Sequence, residues 1–226
     1  MSVRTPMIIE FFADTACPWA MIAHRRLATA LAEFPHRDNV HVVWRSIELD
    51  PSAGDTPLPV ADFLAAHRGI TDTEARRLLD EVTRVAAEEG LRYDLARARH
   101  TRTFTSHRLI HFAAEHGRAE AMSQRLLSGY LERGESLADE ATLLAIATGI
   151  GLDTEHTRRV LADDHYGEQV YADEADAYRR GITHGPFLVF DHAHGLSAHG
   201  DHGGSDPTLI ATALHTAWQA HTTRTP

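Results

Sequence analysis

The stretch MIIEFFADTACPWA, Met7 to Ala20, changes character halfway along. Met7–Phe12 is apolar apart from Glu10 and reads as a short strand buried on both faces. Pro18 suits the first position of a helix, where its missing N–H would lack a partner anyway and its φ is already helical. A helix over about Trp19–Phe34 follows. Cys17 therefore stands where a buried strand hands over to a helix. A thiol there faces unpaired backbone N–H groups and the positive end of the helix dipole, and both favour thiolate. The expectation is a nucleophile whose pKa lies well below about 8.5.

Working outward, Val40–Leu49 is rich in β-branched and aromatic residues and predicts a second strand. Three prolines and a glycine across Pro51–Pro59 mark a loop. From Val60 to about Ala177 apolar residues recur at helical spacing, as in Leu78, Leu79, Val82, Val85 and Ala86. Gly90, Gly117, Gly134 and Gly151 punctuate the helices. Pro186–Phe190 and the weaker Gly195–His199 predict two further strands. Asp206-Pro207 opens a last amphipathic helix through Leu209, Ile210, Ala213, Leu214 and Trp218. The pattern predicts an α/β fold in which residues 1–57 and 178–226 share a mixed sheet. Residues 58–177 would form a large helical insertion.

Composition narrows the chemistry. The chain has 226 residues and a net charge of −10, and its 22 basic residues are all arginine. With no basic stripe, nucleic acid and anionic membranes are excluded as main partners, leaving a small-molecule substrate, free or carrier-bound. One cysteine allows no intrachain disulfide. No run approaches the ~20 apolar residues of a membrane span, and MSVRTPMIIEFF lacks a leader pattern. The expectation is a soluble protein of the reducing cytoplasm, with a homodimer left open. His192, His194, His199 and His202, with Asp191 and Asp201, crowd one loop. Their spacing matches no metal signature and flexible glycines surround them, so no specific metal site is expected.

Phe11-Phe12-Ala13-Asp14 followed by Cys17-Pro18-Trp19 resembles the active-site region of DsbA-like thioredoxin-fold proteins, in particular their FrnE-like branch. Ser106-His107-Arg108-Leu109, Gly134–Asp153 and Asp173–Phe190 resemble further segments of that family, in the same order. The resemblance implies a thioredoxin fold with an all-α insertion and a cis Pro186 lying against Cys17. It departs at Ala20, where redox members carry a second cysteine, so CPWC becomes CPWA. It departs again at Gly185, where the branch has Val, and at Arg102, where it has Asn.

The substrate site implied by the resemblance comprises Pro18, Trp19, Ala20, Gly185, Pro186 and His107, to which Phe104 of the helical block is added as a residue that could line a cleft beside the thiol. Gly185 is expected to open space above Cys17, and His184 to act beside it as an acid, base or orienting group. Leu109 and Phe112 are core by default. Without a second thiol, dithiol exchange is closed to this chain on covalent grounds. The leading expectation is a thiol-dependent isomerase in which Cys17 adds to a conjugated double bond and then leaves, with no cofactor. Disulfide exchange or transfer with a low-molecular-weight thiol as cofactor, and a non-catalytic binding module, are the alternatives.

Overall fold

The computed structural model describes residues 5–54, 56–200, 206 and 208–224. In chain order the elements begin with β1 (Met7–Ala13), α1 (Pro18–Glu33), β2 (Val40–Ser46), β3 (Leu58–Pro59), α2 (Val60–Arg68) and α3 (Asp72–Glu88). They continue with β4 (Arg99–His100), α4 (Phe104–Glu115), α5 (Ala119–Arg133), α6 (Glu140–Gly149), α7 (Thr154–Ala162) and α8 (Gly167–Arg179). β5 (Phe187–Phe190), β6 (His194–Ser197) and α9 (Thr208–Arg224) complete the chain.

The main sheet has the order β2-β1-β5-β6. β2 runs parallel to β1, while β5 is antiparallel to β1 and to β6. Side chains of β1 alternate between two covered faces, as the two-residue period requires. Met7, Ile9, Phe11 and Ala13 join one core with α1 and α9, and Phe12 joins Ile47, Ala177, Ile182 and Val189 on the other. Both faces are apolar because helices cover both, which is why the strand shows no polar alternation.

β2 stops at Ser46, three residues short of the expected Leu49. The Leu49 N–H donates instead to Asp14 Oδ2 at 2.6 Å, drawing the chain off the ladder and across the end of β1. The proline-rich loop ends in a feature the sequence pattern did not reveal. Leu58–Pro59 pairs antiparallel with Arg99–His100, a ribbon too short to carry a strand periodicity. It places His100 beside Asp50. Gly90, Gly117, Gly134 and Gly151 all take positive φ at helix ends. At Gly134 (φ +63°) a Cβ would lie 2.5 Å from Arg97 Cβ, so glycine is required there on two counts. The thiol-bearing turn behaves as the residue types dictate: Cys17 is extended (φ −84°, ψ 117°) and Pro18 opens α1. Pro207, expected to open α9, lies outside the described residues, while Asp206 Oδ1 accepts from the Thr208 N–H at 2.8 Å.

Glu10 is the one charged residue inside β1 and is fully buried. Arg45 donates to its Oε1 at 2.9 and 3.1 Å, and Arg180 to its Oε2 at 2.6 Å. Burial opposes its ionisation, but the two guanidinium groups outweigh burial and hold the carboxyl below its usual range. A lowered native pKa contributes stability above the unfolded value near 4.5 and loses it as pH falls through the native one. Glu10→Gln is therefore expected to cost about 1–3 kcal/mol at pH 7, discounted because both arginines are about one-third exposed. Urea unfolding should show the deficit shrinking between pH 5 and 3.

Candidate active site

The β1–α1 turn is fixed by its own polar groups. Asp14 Oδ1 accepts the Ala16 N–H at 2.9 Å, and its Oδ2 accepts that of Leu49. The Thr15 and Ser106 hydroxyls lie 2.6 Å apart, and Ser106 donates onward to the Thr103 carbonyl. These bonds tie the turn to the start of α4 in the helical block. Tyr93 adds a further tie by donating to the Pro18 carbonyl at 2.6 Å.

Cys17 ends up 1% exposed, its Sγ 3.8 Å from the Gly185 carbonyl that accepts from it. The Gly185–Pro186 peptide is cis. Burial pushes the thiol up to about 12; the N–H groups of Ala20 and Trp19 oppose this, and the charge of Asp14 adds to it. The expectation of a lowered pKa is thereby corrected. The helix start does favour thiolate, but two backbone donors do not repay the desolvation of a fully buried sulfur anion. At neutral pH the group is a thiol.

Cys17 borders a cavity of about 230 Å³ between the turn and the helical block. Its apolar wall comes from Trp19, Val60, Phe63, Leu64, Leu79 and Val82. Asp50, His100, Thr103 and Tyr130 are among the polar residues that border it. Trp19 lies so close to Gly200 that any side chain there would overlap the indole, and the His199 ring is 5.9 Å from it.

Of the residues that the sequence assigned to the thiol site, Cys17, Pro18 and Trp19 border this cavity, and the others stand back from it. Ala20 is buried in α1. Gly185 and Pro186 are buried behind the sulfur. Gly185 does not open space above Cys17: a Cβ there would meet Ile47 Cγ2 and the Phe12 carbonyl at 3.2 Å, on the far side of the β1 end. His184 Nε2 is 3.0 Å from Ser197 Oγ, and only its neighbour His199 reaches the cavity. His107 is 1% exposed with Nε2 3.8 Å from Asp14 Oδ1; burial lowers its pKa and keeps the ring neutral. Phe104 belongs to a separate groove with Thr105, Leu137 and Leu161, where its ring packs on Tyr171 and beneath Arg102. Helical spacing placed Phe104 in the inserted block but could not say which side of the block it would face.

Other groups near the turn carried no motif. Glu48 is buried with Arg102 Nε 3.5 Å from its Oε2, an ion pair too long for a hydrogen bond. Burial outweighs Arg102, and with Glu174 and Asp14 adding to it the carboxyl is pushed up to about 7. The Asn-to-Arg departure at position 102 thus places a cation beside a buried acid. His111 Nε2 lies 3.1 Å from Ser46 Oγ and 3.2 Å from Asp173 Oδ2. In the histidine-rich loop, His192 Nδ1 is 3.1 Å from Glu10 Oε2. Asp201 and His202 lie outside the described residues. No group of three metal ligands forms among the described residues, and none of the helices searched is long and apolar enough to cross a membrane.

A buried cysteine behind a cis-proline, at the end of a central strand and under a helical block, defines the site of a thioredoxin-fold protein. Residues 8–214 match the family profile of the DSBA-like thioredoxin domain, and the chain belongs to that family. It is similar to a probable DsbA oxidoreductase from Streptomyces coelicolor, at 40% identity and a TM-score of 0.87 over 94% of this chain and 90% of that one. The fold is shared with a 2-hydroxychromene-2-carboxylate isomerase (13% identity, TM-score 0.68, 97% and 100% coverage). It is shared also with the cytosolic disulfide reductase DsbM from Pseudomonas aeruginosa (16%, 0.62, 94% and 99%). No curated protein sequence matches the chain.

The buried thiol makes one direct prediction. In a pH titration, the thiolate absorbance near 240 nm, taken as wild type minus Cys17→Ser, should stay flat through pH 9 and rise only above pH 10. A midpoint near 8.5, the value of a free cysteine, would show that burial does not govern this sulfur.

Proposed function

We propose that the protein is a thiol-dependent enzyme that isomerises a small conjugated or aromatic compound by reversible addition of Cys17. The observation that carries this reading is a lone cysteine bordering a small, largely hydrocarbon cavity. A mixed disulfide on Cys17 has no internal thiol to resolve it, because position 20 is a buried alanine. Addition and elimination need no second thiol. The S–C bond forms as the carbon–carbon double bond opens, rotation follows about the resulting single bond, and elimination restores both the double bond and the thiol. No electrons are gained or lost, so neither a redox partner nor a cofactor is required.

Size supports the same substrate class. An engineered apolar cavity of about 150 Å³ accepts benzene, and pockets for drug-sized ligands run from about 300 Å³ upward. At about 230 Å³ the cavity suits one aromatic ring with a short unsaturated arm. The net charge of −10 supports a neutral small molecule over nucleic acid or an anionic membrane. A thiol that works alone must stay reduced, which suits a cytoplasmic setting.

Monothiol disulfide exchange with a low-molecular-weight thiol is the second reading. It draws on the 40% identical relative named as a probable oxidoreductase. One pair of assays separates the two. Without added thiol, the wild type should convert (Z)-4-phenyl-3-buten-2-one to its E isomer, and Cys17→Ala should lose at least a hundredfold in kcat/KM. Full activity in Cys17→Ala contradicts the isomerase. Glutathione-dependent reduction of hydroxyethyl disulfide, lost in Cys17→Ala and with no enone turnover, would establish the exchange reading instead.

A further inference from the structure

A protonated, buried thiol cannot attack until a base removes its proton. β4 puts His100 on the wall of the Cys17 cavity, with Nε2 3.0 Å from Asp50 Oδ2. A carboxylate accepts only, so in the neutral form of the ring Nε2 carries the hydrogen and Nδ1 the lone pair. The Phe63 ring lies face to face with the imidazole, centroids 3.3 Å apart and planes 10° from parallel, which fixes the ring plane. A second polar side chain borders the same space. Tyr130 is 1% exposed and its hydroxyl hydrogen-bonds to no group among the described residues. A hydroxyl on the cavity wall can donate to a ligand oxygen held there.

We propose that His100, oriented by Asp50, takes the Cys17 proton directly or through one water, and that Tyr130 donates to the oxygen of a conjugated ketone or aldehyde. This deepens the isomerase reading and rests on Cys17 being the reacting atom. The step balances. The S–H proton passes to Nδ1, sulfur bonds to the β carbon, and the double-bond pair moves onto the carbonyl oxygen as an enolate held by Tyr130. After rotation the enolate expels sulfur, and the imidazolium returns its proton. An orienting carboxylate behind an imidazole stabilises the imidazolium formed in between.

The other charged or titratable groups that border the cavity include Asp14, Arg68, Glu81 and His199. Both oxygens of Asp14 already accept backbone N–H groups, and Arg68 is a cation with no lone pair to offer. Glu81 is exposed, and the His199 ring is turned against Trp19.

The test follows two reactions of Cys17 at pH 7.5: alkylation by iodoacetamide, read by intact mass, and isomerisation of (Z)-4-phenyl-3-buten-2-one. His100→Ala is expected to slow both at least tenfold, with 50 mM imidazole restoring the rates and the isosteric but weakly basic pyrazole not doing so. Asp50→Asn should slow both by a smaller factor. Tyr130→Phe should leave alkylation within twofold while lowering kcat for the enone at least tenfold. Wild-type alkylation rates in His100→Ala and Asp50→Asn, or equal rescue by pyrazole and imidazole, would overturn the assignment of His100. An unchanged kcat in Tyr130→Phe would overturn that of Tyr130. Persistence of isomerisation in Cys17→Ala would instead remove the isomerase reading, while the alkylation rates still decide whether His100 acts on the thiol.

Discussion

The contact between Cys17 Sγ and the Gly185 carbonyl, 3.8 Å across, joins the turn after β1 to the loop before β5. On one side stands the turn that ends β1, fixed by Asp14 through the Ala16 and Leu49 N–H groups. On the other stands the loop between α8 and β5, in which the Gly185–Pro186 peptide is cis. The helical block closes over both, with Thr15 bonded to Ser106 and Pro18 to Tyr93. Burial of the sulfur follows from this convergence, and so does its protonation. The chemistry open to the site is set less by the helix dipole than by how completely water is excluded from one atom.

That constraint gives the rest of the cavity its meaning. A thiolate in water needs little help, whereas a buried thiol needs a base and a place for the charge that develops on its partner. The cavity brings Cys17 from the first turn of the chain together with Asp50, His100 and Tyr130 from three distant segments. Membership of the DSBA-like family explains the scaffold, which the 40% identical relative shares over 94% of this chain. The constraint on this chain is covalent. The chain has one cysteine, so any turnover must return Cys17 to its starting state without a second thiol of its own.

Much of this was legible in the residues because it depends on local chemistry. The apolar run Met7–Phe12, the proline at the start of α1 and the glycines that end helices each act within a few residues of themselves. Cys17, Pro18 and Trp19 followed from that reading, as did the mixed sheet with its helical insertion. The losses share one cause: they depend on what arrives from elsewhere. The pKa of Cys17 was misjudged because the dipole is visible in the sequence while desolvation is not. His100 carried no signal, since a two-residue ribbon has no period and its partner Asp50 is fifty positions away. Phe104 sits on the insertion as expected yet faces another groove, because helical spacing gives a face without saying what it meets. Gly185 was read for the side chain it lacks, although the space at that position is closed by Ile47 and the end of β1.

The account stands or falls on whether the sulfur itself bonds to the guest held in the cavity. A crystal structure of the protein soaked with (E)-4-phenyl-3-buten-2-one decides this most directly. Continuous density from Cys17 Sγ to the β carbon, with the phenyl ring against Phe63 and Leu64, is the predicted result. The enone bound elsewhere, or seated in the cavity with the sulfur unmodified in a form that still turns it over, would contradict it.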